Sequence, residues 1–440
     1  MPAMAVESGP AAGVIAAALV GRQRGLANVI SFDMGGTTAK ASLIERGEIV
    51  TTAEYEVGGG GNVRRWLHGT GHPIRVPVID LAEVSAGGGS IAWIDPGGVL
   101  RVGPESAGAD PGPVCYGPRG TRPTVTDADL VLGYLNPVAL LGGALPVSVA
   151  RARGAIETQI AQPLGLGVLQ AAAGIVDVVN AGMAGALRIV SVERGHDPRD
   201  FTLVAFGGAG PVHAARLAEE LDIPRVLIPP IPGGFSALGL VATDVRRDYA
   251  RTFYAALPSA DPAEIAAACA AMEGEAHAML SRSGVPKERW EVTRLADCRY
   301  PRQAYELTVP LTGGLVDRAA LDRLAQAFHE RHRATYGHAS PDEPVQLVNL
   351  RVSALGRQLP LDLARAQAGR SAAPPARRAV YFKETGLAPC EVVVRDGLAP
   401  GAHQAGPLIV EAADTTIVVP PGWRLGVDTG GLIVLERGHA

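Results

Sequence analysis

The chain has 440 residues, of which 47% are hydrophobic and 19% charged, and a formal net charge of -4; at roughly 100 to 200 residues per domain it is long enough for two or three cores. The weak negative balance gives no electrostatic footprint for nucleic acid or for an anionic membrane surface. Cys115, Cys269, Cys298 and Cys390 stand far apart with no CxxC or CxxH spacing, which argues against a zinc ribbon or a disulfide framework and for thiols in a reducing, cytoplasmic setting.

In chain order, the alanine-rich stretch 9–24 has apolar residues at helical spacing and predicts a helix. Residues 28–33 read as a buried strand. Residues 39–44 read as its partner, across the turn Met34-Gly35-Gly36-Thr37-Thr38. A third strand is expected over 47–57, before Gly58-Gly59-Gly60-Gly61 interrupts regular structure. From 74 to 146 the chain is dense in Gly and Pro, as in an irregular, site-forming insertion.

Ile175, Val178, Val179, Met183, Leu187 and Val190 recur at three- and four-residue spacing and predict a long helix over 168–194. A strand at 201–206, a glycine turn, a helix at 212–221 and a strand at 225–228 complete an α/β crossover unit. No run of apolar residues reaches the ~20 that a membrane span needs, so no membrane segment is expected. Beyond residue 250, helices at 262–283 and 316–336 alternate with strands near 291–300 and 304–310, giving an α+β region over 251–365. Residues 366–378 read as a linker. Residues 379–440 carry short β-type runs between Gly and Pro turns, as in a small β-rich module.

Two loops carry the chemistry. In Phe32-Asp33-Met34-Gly35-Gly36-Thr37-Thr38-Ala39-Lys40, Gly35 and Gly36 leave the backbone open to a polyphosphate, and Thr37 and Thr38 add hydroxyls. Asp33 is suited to hold Mg²⁺ through water, and Lys40 supplies a counter-charge. The same composition also serves an ordinary tight hairpin. In Phe206-Gly207-Gly208-Ala209-Gly210-Pro211-Val212-His213, a strand passes through Gly207, Gly208 and Gly210 into a helix whose first N–H groups favour anions. Its glycine spacing is not that of a Rossmann fingerprint.

Between these loops, Asp80 and Glu83 stand beside Gly87-Gly88-Gly89. Paired acids of this kind serve general acid–base or metal chemistry, or else lie in a solvated turn. Thr124-Val125-Thr126-Asp127-Ala128-Asp129 reads equally as a helix start capped by Thr126 or Asp127 and as a substrate-side segment. Cys115 reads as a buried small thiol, His213 as a packing or capping residue, and Arg64, Arg65, His68 and His72 as a solvated loop.

The chain resembles hydantoinase A, the family that includes the N-terminal half of 5-oxoprolinase and subunits of ATP-dependent ketone carboxylases. The matching segments are 8–11, 32–40, 86–92, 102–117, 123–133, 206–213, 229–240 and 406–421. The resemblance implies an actin-like ATPase (ribonuclease H-like) α/β domain over 1–250, with an insertion at about 58–165. It also implies ATP and Mg²⁺, catalytic roles for Asp33, Asp80 and Glu83, and a hydantoinase B-type partner subunit. The activity implied is opening of a small cyclic amide after phosphorylation of its carbonyl oxygen.

Two departures stand out. The family opens on an earlier Asp-Val-Gly-Gly-Thr-Phe-Thr-Asp phosphate loop that residues 1–32 do not supply. Either a separate protein carrying that loop completes the ATP site, or the chain is an inactive scaffold. In Arg299-Tyr300-Pro301-Arg302-Gln303, proline and arginine stand where the family places a glycine before the glutamine, and Pro301 restricts the loop. A ketone carboxylase subunit is the alternative activity, because the same carbonyl activation serves both reactions.

Overall fold

The computed structural model describes residues 8–52, 55–57, 72–74, 78–358 and 376–438. They form two compact units, one of residues 1–241 with 361–440 and the other of residues 242–360.

The first unit is mixed α/β. Its elements are α1 (Ser8–Gln23), β1 (Val29–Met34), β2 (Ala39–Glu45), β3 (Ala82–Val84), α2 (Val125–Val131), α3 (Val168–Val190), β4 (Thr202–Phe206), α4 (Gly210–Glu220), β5 (Arg225–Ile228) and α5 (Phe235–Ala242). From the far end of the chain come β6 (Ala376–Phe382), β7 (Gly386–Val394), β8 (His403–Ala405), β9 (Leu408–Glu411), β10 (Thr416–Val419), β11 (Trp423–Val427) and β12 (Ile433–Arg437). The main sheet runs β8-β11-β12-β5-β4-β1-β2, with Glu48–Ile49 and β3 both pairing β2. Strands β1, β4 and β5 are mutually parallel; β2 and β12 join them antiparallel.

Central strands buried on both faces read as near-continuous apolar runs; β4 does so after Thr202, and β1 is buried along most of its length although Ser31 and Asp33 interrupt it. Their side chains alternate between two cores. Ile30, Phe32, Met34, Leu203 and Ala205 pack with Ile175, Val179 and Met183 of α3. On the other face, Val29, Val204 and Phe206 pack with Val14 and Ala17 of α1 and Phe235 of α5. Each fully buried Ile or Phe in these rows contributes roughly 1.5–3 kcal/mol.

Three expectations change. By length and composition, 168–194 is a helix able to cross a bilayer, and the only such helix among the described residues. Its Ala and Gly residues kept it from standing out as an apolar run. Ile175, Val179, Met183 and Leu187 are fully buried against the sheet, the placement of a core helix.

The third strand expected over 47–57 is broken into Glu48–Ile49, Thr51–Thr52 and Tyr55–Val57, because each piece finds a different partner: β2, Val78–Ile79 and His72–Ile74. Residues 379–440, expected as a module of their own, divide between two sheets. Strands β8, β11 and β12 extend the main sheet, whereas β6, β7, β9 and β10 form a four-stranded sheet. The glycines 58–61 and Arg64, Arg65 and His68 lie outside the described residues, as does most of the expected linker.

The second unit is an antiparallel sheet in the order 245–256, 346–356, 290–299, 307–310. Ile265, Met272 and Leu280 of the helix Pro262–Arg282 and Phe328 of the helix Arg318–Tyr336 pack on Leu350 and Val352. In the loop where the family motif departs, Arg302 takes φ 71°. Gln303 accepts from the Tyr300 amide and meets His332 at 2.9 Å.

Candidate functional site

The hairpin comes first. Asp33 of β1 lies opposite Lys40 of β2, and Lys40 lies opposite Glu83 of β3, so acid, base and acid form one row across three strands. The Lys40 Nζ to Glu83 Oε1 distance is 3.6 Å. Burial pushes the Asp33 carboxyl above its ordinary range, and the Lys40 charge and a hydrogen bond from Ser236 pull it partly back. The Gly35 N–H donates to the Thr38 carbonyl at 3.1 Å and closes the turn.

The glycine triplet then clamps that turn. Gly88 N–H donates to Gly35 O at 3.1 Å, and Gly89 N–H donates to Gly36 O at 2.6 Å. A Cβ on Gly87 would lie 2.5 Å from Thr37 N, so only glycine permits this approach. Both the amide and the hydroxyl of Thr126 donate to Gly88 O at 2.8 Å, tying α2 to the hairpin.

The cap of α2 is Thr124, not Thr126 or Asp127, with Asp127 completing a capping box. The buried Asp127 carboxylate accepts from the amides of Thr124, Val114 and Cys115 at 2.9, 3.1 and 2.7 Å. With the Thr124 hydroxyl donating as well, at 2.8 Å, four donors leave it engaged as a structural anchor. Cys115 is buried, and burial together with the Asp127 charge raises its thiol pKa well above the ordinary value. An unreactive, protonated thiol follows.

The second loop sits on the root of the hairpin. Gly207 has φ 83°, and a Cβ there would meet Met34 O at 2.3 Å and Asp33 Oδ1 at 2.5 Å. The Ala209 N–H donates to Met34 O at 3.0 Å. Gly208 has room, its nearest would-be neighbour being Asp414 O at 3.7 Å. The segment between β9 and β10 holds this loop: Thr415 Oγ1 donates to Gly208 O at 2.8 Å, and Asp414 Oδ2 accepts from Gly233 N–H at 2.7 Å.

Gly35, Gly36, Gly88 and Gly208 line one cavity of about 630 Å³, with Thr126 and Asp129 of α2 on its wall. A Cβ on Gly35 or Gly36 would meet nothing within 4 Å, so the hairpin presents bare backbone to open space. Asp33 and Lys40 are not among the residues lining this cavity, and Gly210 opens α4. Asp80 and Glu83 do not converge: Asp80 is buried against Arg194 and Glu83 pairs with Lys40.

Sequence reasoning did not bring Asp414 and Thr415 to this site, because nothing local marks a contact 207 residues away. Among the described residues no group of three or more His, Cys, Asp or Glu is arranged to hold a metal.

Fold and site together define a mixed α/β protein in which two glycine loops and an interposed capped helix face one cavity. The chain belongs to the hydantoinase/oxoprolinase family: the hydantoinase/oxoprolinase model matches residues 1–249 and the hydantoinase/oxoprolinase C-terminal domain matches residues 258–438. It is 38% identical to caprolactamase subunit alpha of Pseudomonas jessenii over 99% of this chain and 62% of that protein. It is 35% identical to the acetophenone carboxylase gamma subunit of Aromatoleum aromaticum, over 97% of this chain and 59% of that one. The nucleotide-free acetone carboxylase structure superposes with a TM-score of 0.83 at 27% identity, covering 98% of this chain and 61% of that one. The chain thus spans about three-fifths of the length of these relatives.

Proposed function

We propose that this chain is the ATP-using part of an enzyme that activates the carbonyl oxygen of a cyclic amide by phosphorylation, acting with a hydantoinase B-type partner subunit. A resonance-stabilised amide is a poor electrophile until its oxygen carries a leaving group. The observation that carries the reading is the meeting of the Gly35-Gly36 turn and the Gly208 loop in one cavity, in an order consistent with an actin-like ATPase fold.

In this reading the bare backbone of Gly35 and Gly36 receives the phosphate chain, with Thr37 and Thr38 at the turn and Lys40 behind it. Asp33 would hold Mg²⁺, which when bound would supply charge neutralisation at the phosphates. Gly208 and the first turn of α4 meet the nucleoside side. Asp80 and Glu83 act through their cations, Glu83 by setting the charge at Lys40. The opposing side of the phosphate clamp comes from a further segment or partner. Ketone activation for carboxylation is the second reading, favoured by the similarity to acetone and acetophenone carboxylase subunits.

The test is phosphate release from ATP by the full assembly, with 5-oxoproline, hydantoin, ε-caprolactam, acetone and acetophenone supplied separately. Stimulation by an amide supports the first reading and stimulation by a ketone the second. No stimulation by any of them, in an assembly that binds Mg-ATP, overturns both.

A further inference from the structure

Phosphorylating a carbonyl oxygen removes a proton from the atom beside it. In a cyclic amide, the oxygen attacks the γ-phosphorus, the O–P bond forms and the bond to ADP breaks with its electron pair leaving on ADP. The amide N–H breaks and its pair becomes the C=N bond. In a ketone an α C–H breaks and its pair becomes the C=C bond. Either substrate therefore needs a base on the flank of its carbonyl.

We propose that Asp129 is that base and that His213 positions it and relays the proton; this rests on the reading of the cavity as the site of carbonyl activation. Asp129 lies three residues after Thr126 and so on the same face of α2. Both line the cavity shared with Gly35, Gly36 and Gly88. The bonds from Thr126 to Gly88 and from Gly88 to Gly35 fix this face of the helix to the phosphate turn.

Asp129 is 3% exposed, and its Oδ1 is buried with no hydrogen-bond partner, an arrangement that proteins rarely leave without a use. Its Oδ2 stands 3.4 Å from His213 Nε2, and His213 Nδ1 lies 2.9 Å from Asn180 Oδ1. With that oxygen as acceptor, Nδ1 carries a hydrogen and Nε2 is turned to the carboxylate, placed to take a proton from it. His213 and Asn180 also line a second cavity, of about 580 Å³. The imidazole thus stands between the two cavities, and a proton taken up by Asp129 has an exit that avoids the nucleotide.

Of the other carboxylates on this cavity, Glu411 pairs with Arg378 and accepts from Asn136, Asp414 accepts from the Gly233 amide, and Asp396 is exposed. Tyr116, on the same cavity, is pushed up to about 12 by burial and nearby acidic groups, and Asp127 is spent on backbone amides.

The test measures substrate-dependent phosphate release and AMP-PNP binding on the full-length protein in its assembly, with the five compounds above as probes. Asp129→Asn is expected to lower kcat by about a hundredfold or more, within the range of general-base catalysis, with AMP-PNP affinity and the KM for ATP within about twofold of wild type. Asp129→Ala is expected to regain about tenfold on addition of formate, a rescue that a purely structural role would not give. His213→Gln is expected to lower kcat by about tenfold at unchanged KM.

Wild-type kcat in Asp129→Asn, or no effect of formate on folded Asp129→Ala, overturns the assignment and leaves the functional reading standing. Should neither Asp129 variant fold, wild-type kcat in His213→Gln overturns it. A wild-type assembly that binds Mg-ATP but releases phosphate with none of the probes overturns the functional reading and the assignment with it.

Discussion

Asp33, the proposed metal-holding carboxylate, is partly withdrawn from solvent. Desolvation raises its pKa, so the folded state holds the proton more tightly than the unfolded chain does. The associated stability is present below the unfolded value and is lost as pH rises through the folded one. Asp33→Asn is therefore expected to raise the melting temperature at pH 7 and to leave it unchanged in strong acid. The same change should weaken Mg-AMP-PNP binding by about tenfold or more, the effect of losing roughly 1.4 kcal/mol of interaction with the metal. Calorimetry showing wild-type affinity would remove Asp33 from the site.

The two glycines of the second loop separate in a similar way. Gly207→Ala meets both a left-handed backbone and the Met34 carbonyl and should cost roughly 1–3 kcal/mol in denaturant unfolding. Gly208→Val should fold normally and block nucleotide through its branched side chain. A normally stable Gly207→Ala would disprove the packing described for it.

Among elements, α2 carries more than its seven residues suggest. Asp127→Ala strips the capping box and leaves the buried amides of Val114 and Cys115 without their acceptor. A loss of roughly 2–4 kcal/mol is expected by thermal or chemical unfolding, the sum of a cap and a buried unsatisfied donor. A loss below about 0.5 kcal/mol, the size of an ordinary surface substitution, would mean that solvent reaches those amides.

That a helix starts here was legible from the Thr- and Asp-rich segment, but not the cap, which is Thr124 rather than Thr126 or Asp127. That Asp127 also gathers amides 12 and 13 residues upstream was not, because only tertiary folding brings that loop over the helix. Strands β1 and β2 were legible for the opposite reason. Their strand-forming apolar residues on either side of the turn leave few alternatives, and Gly35-Gly36 marks the turn between them. The short strands after residue 47 depend on pairing with distant pieces, which local pattern does not encode.

At the scale of the whole molecule, the first unit is assembled from both ends of the sequence, with the second unit inserted between. Strand β12 pairs β5, and Thr415 bonds the carbonyl of Gly208 from 207 residues further along the chain. The order of synthesis therefore matters. Between the emergence of Gly208 and that of Thr415, the ribosome needs on the order of 10–40 s at roughly 5–20 residues per second. Throughout that interval the nascent chain has its Gly35-Gly36 turn but not the support of its second loop. Residues 242–360 have all their own strands in hand and can collapse meanwhile. A ribosome that aborts before residue 415 thus releases a polypeptide with one finished unit and no Thr415 to hold the Gly208 carbonyl, and under the proposed function such a product would be barred from drawing on the cell's ATP.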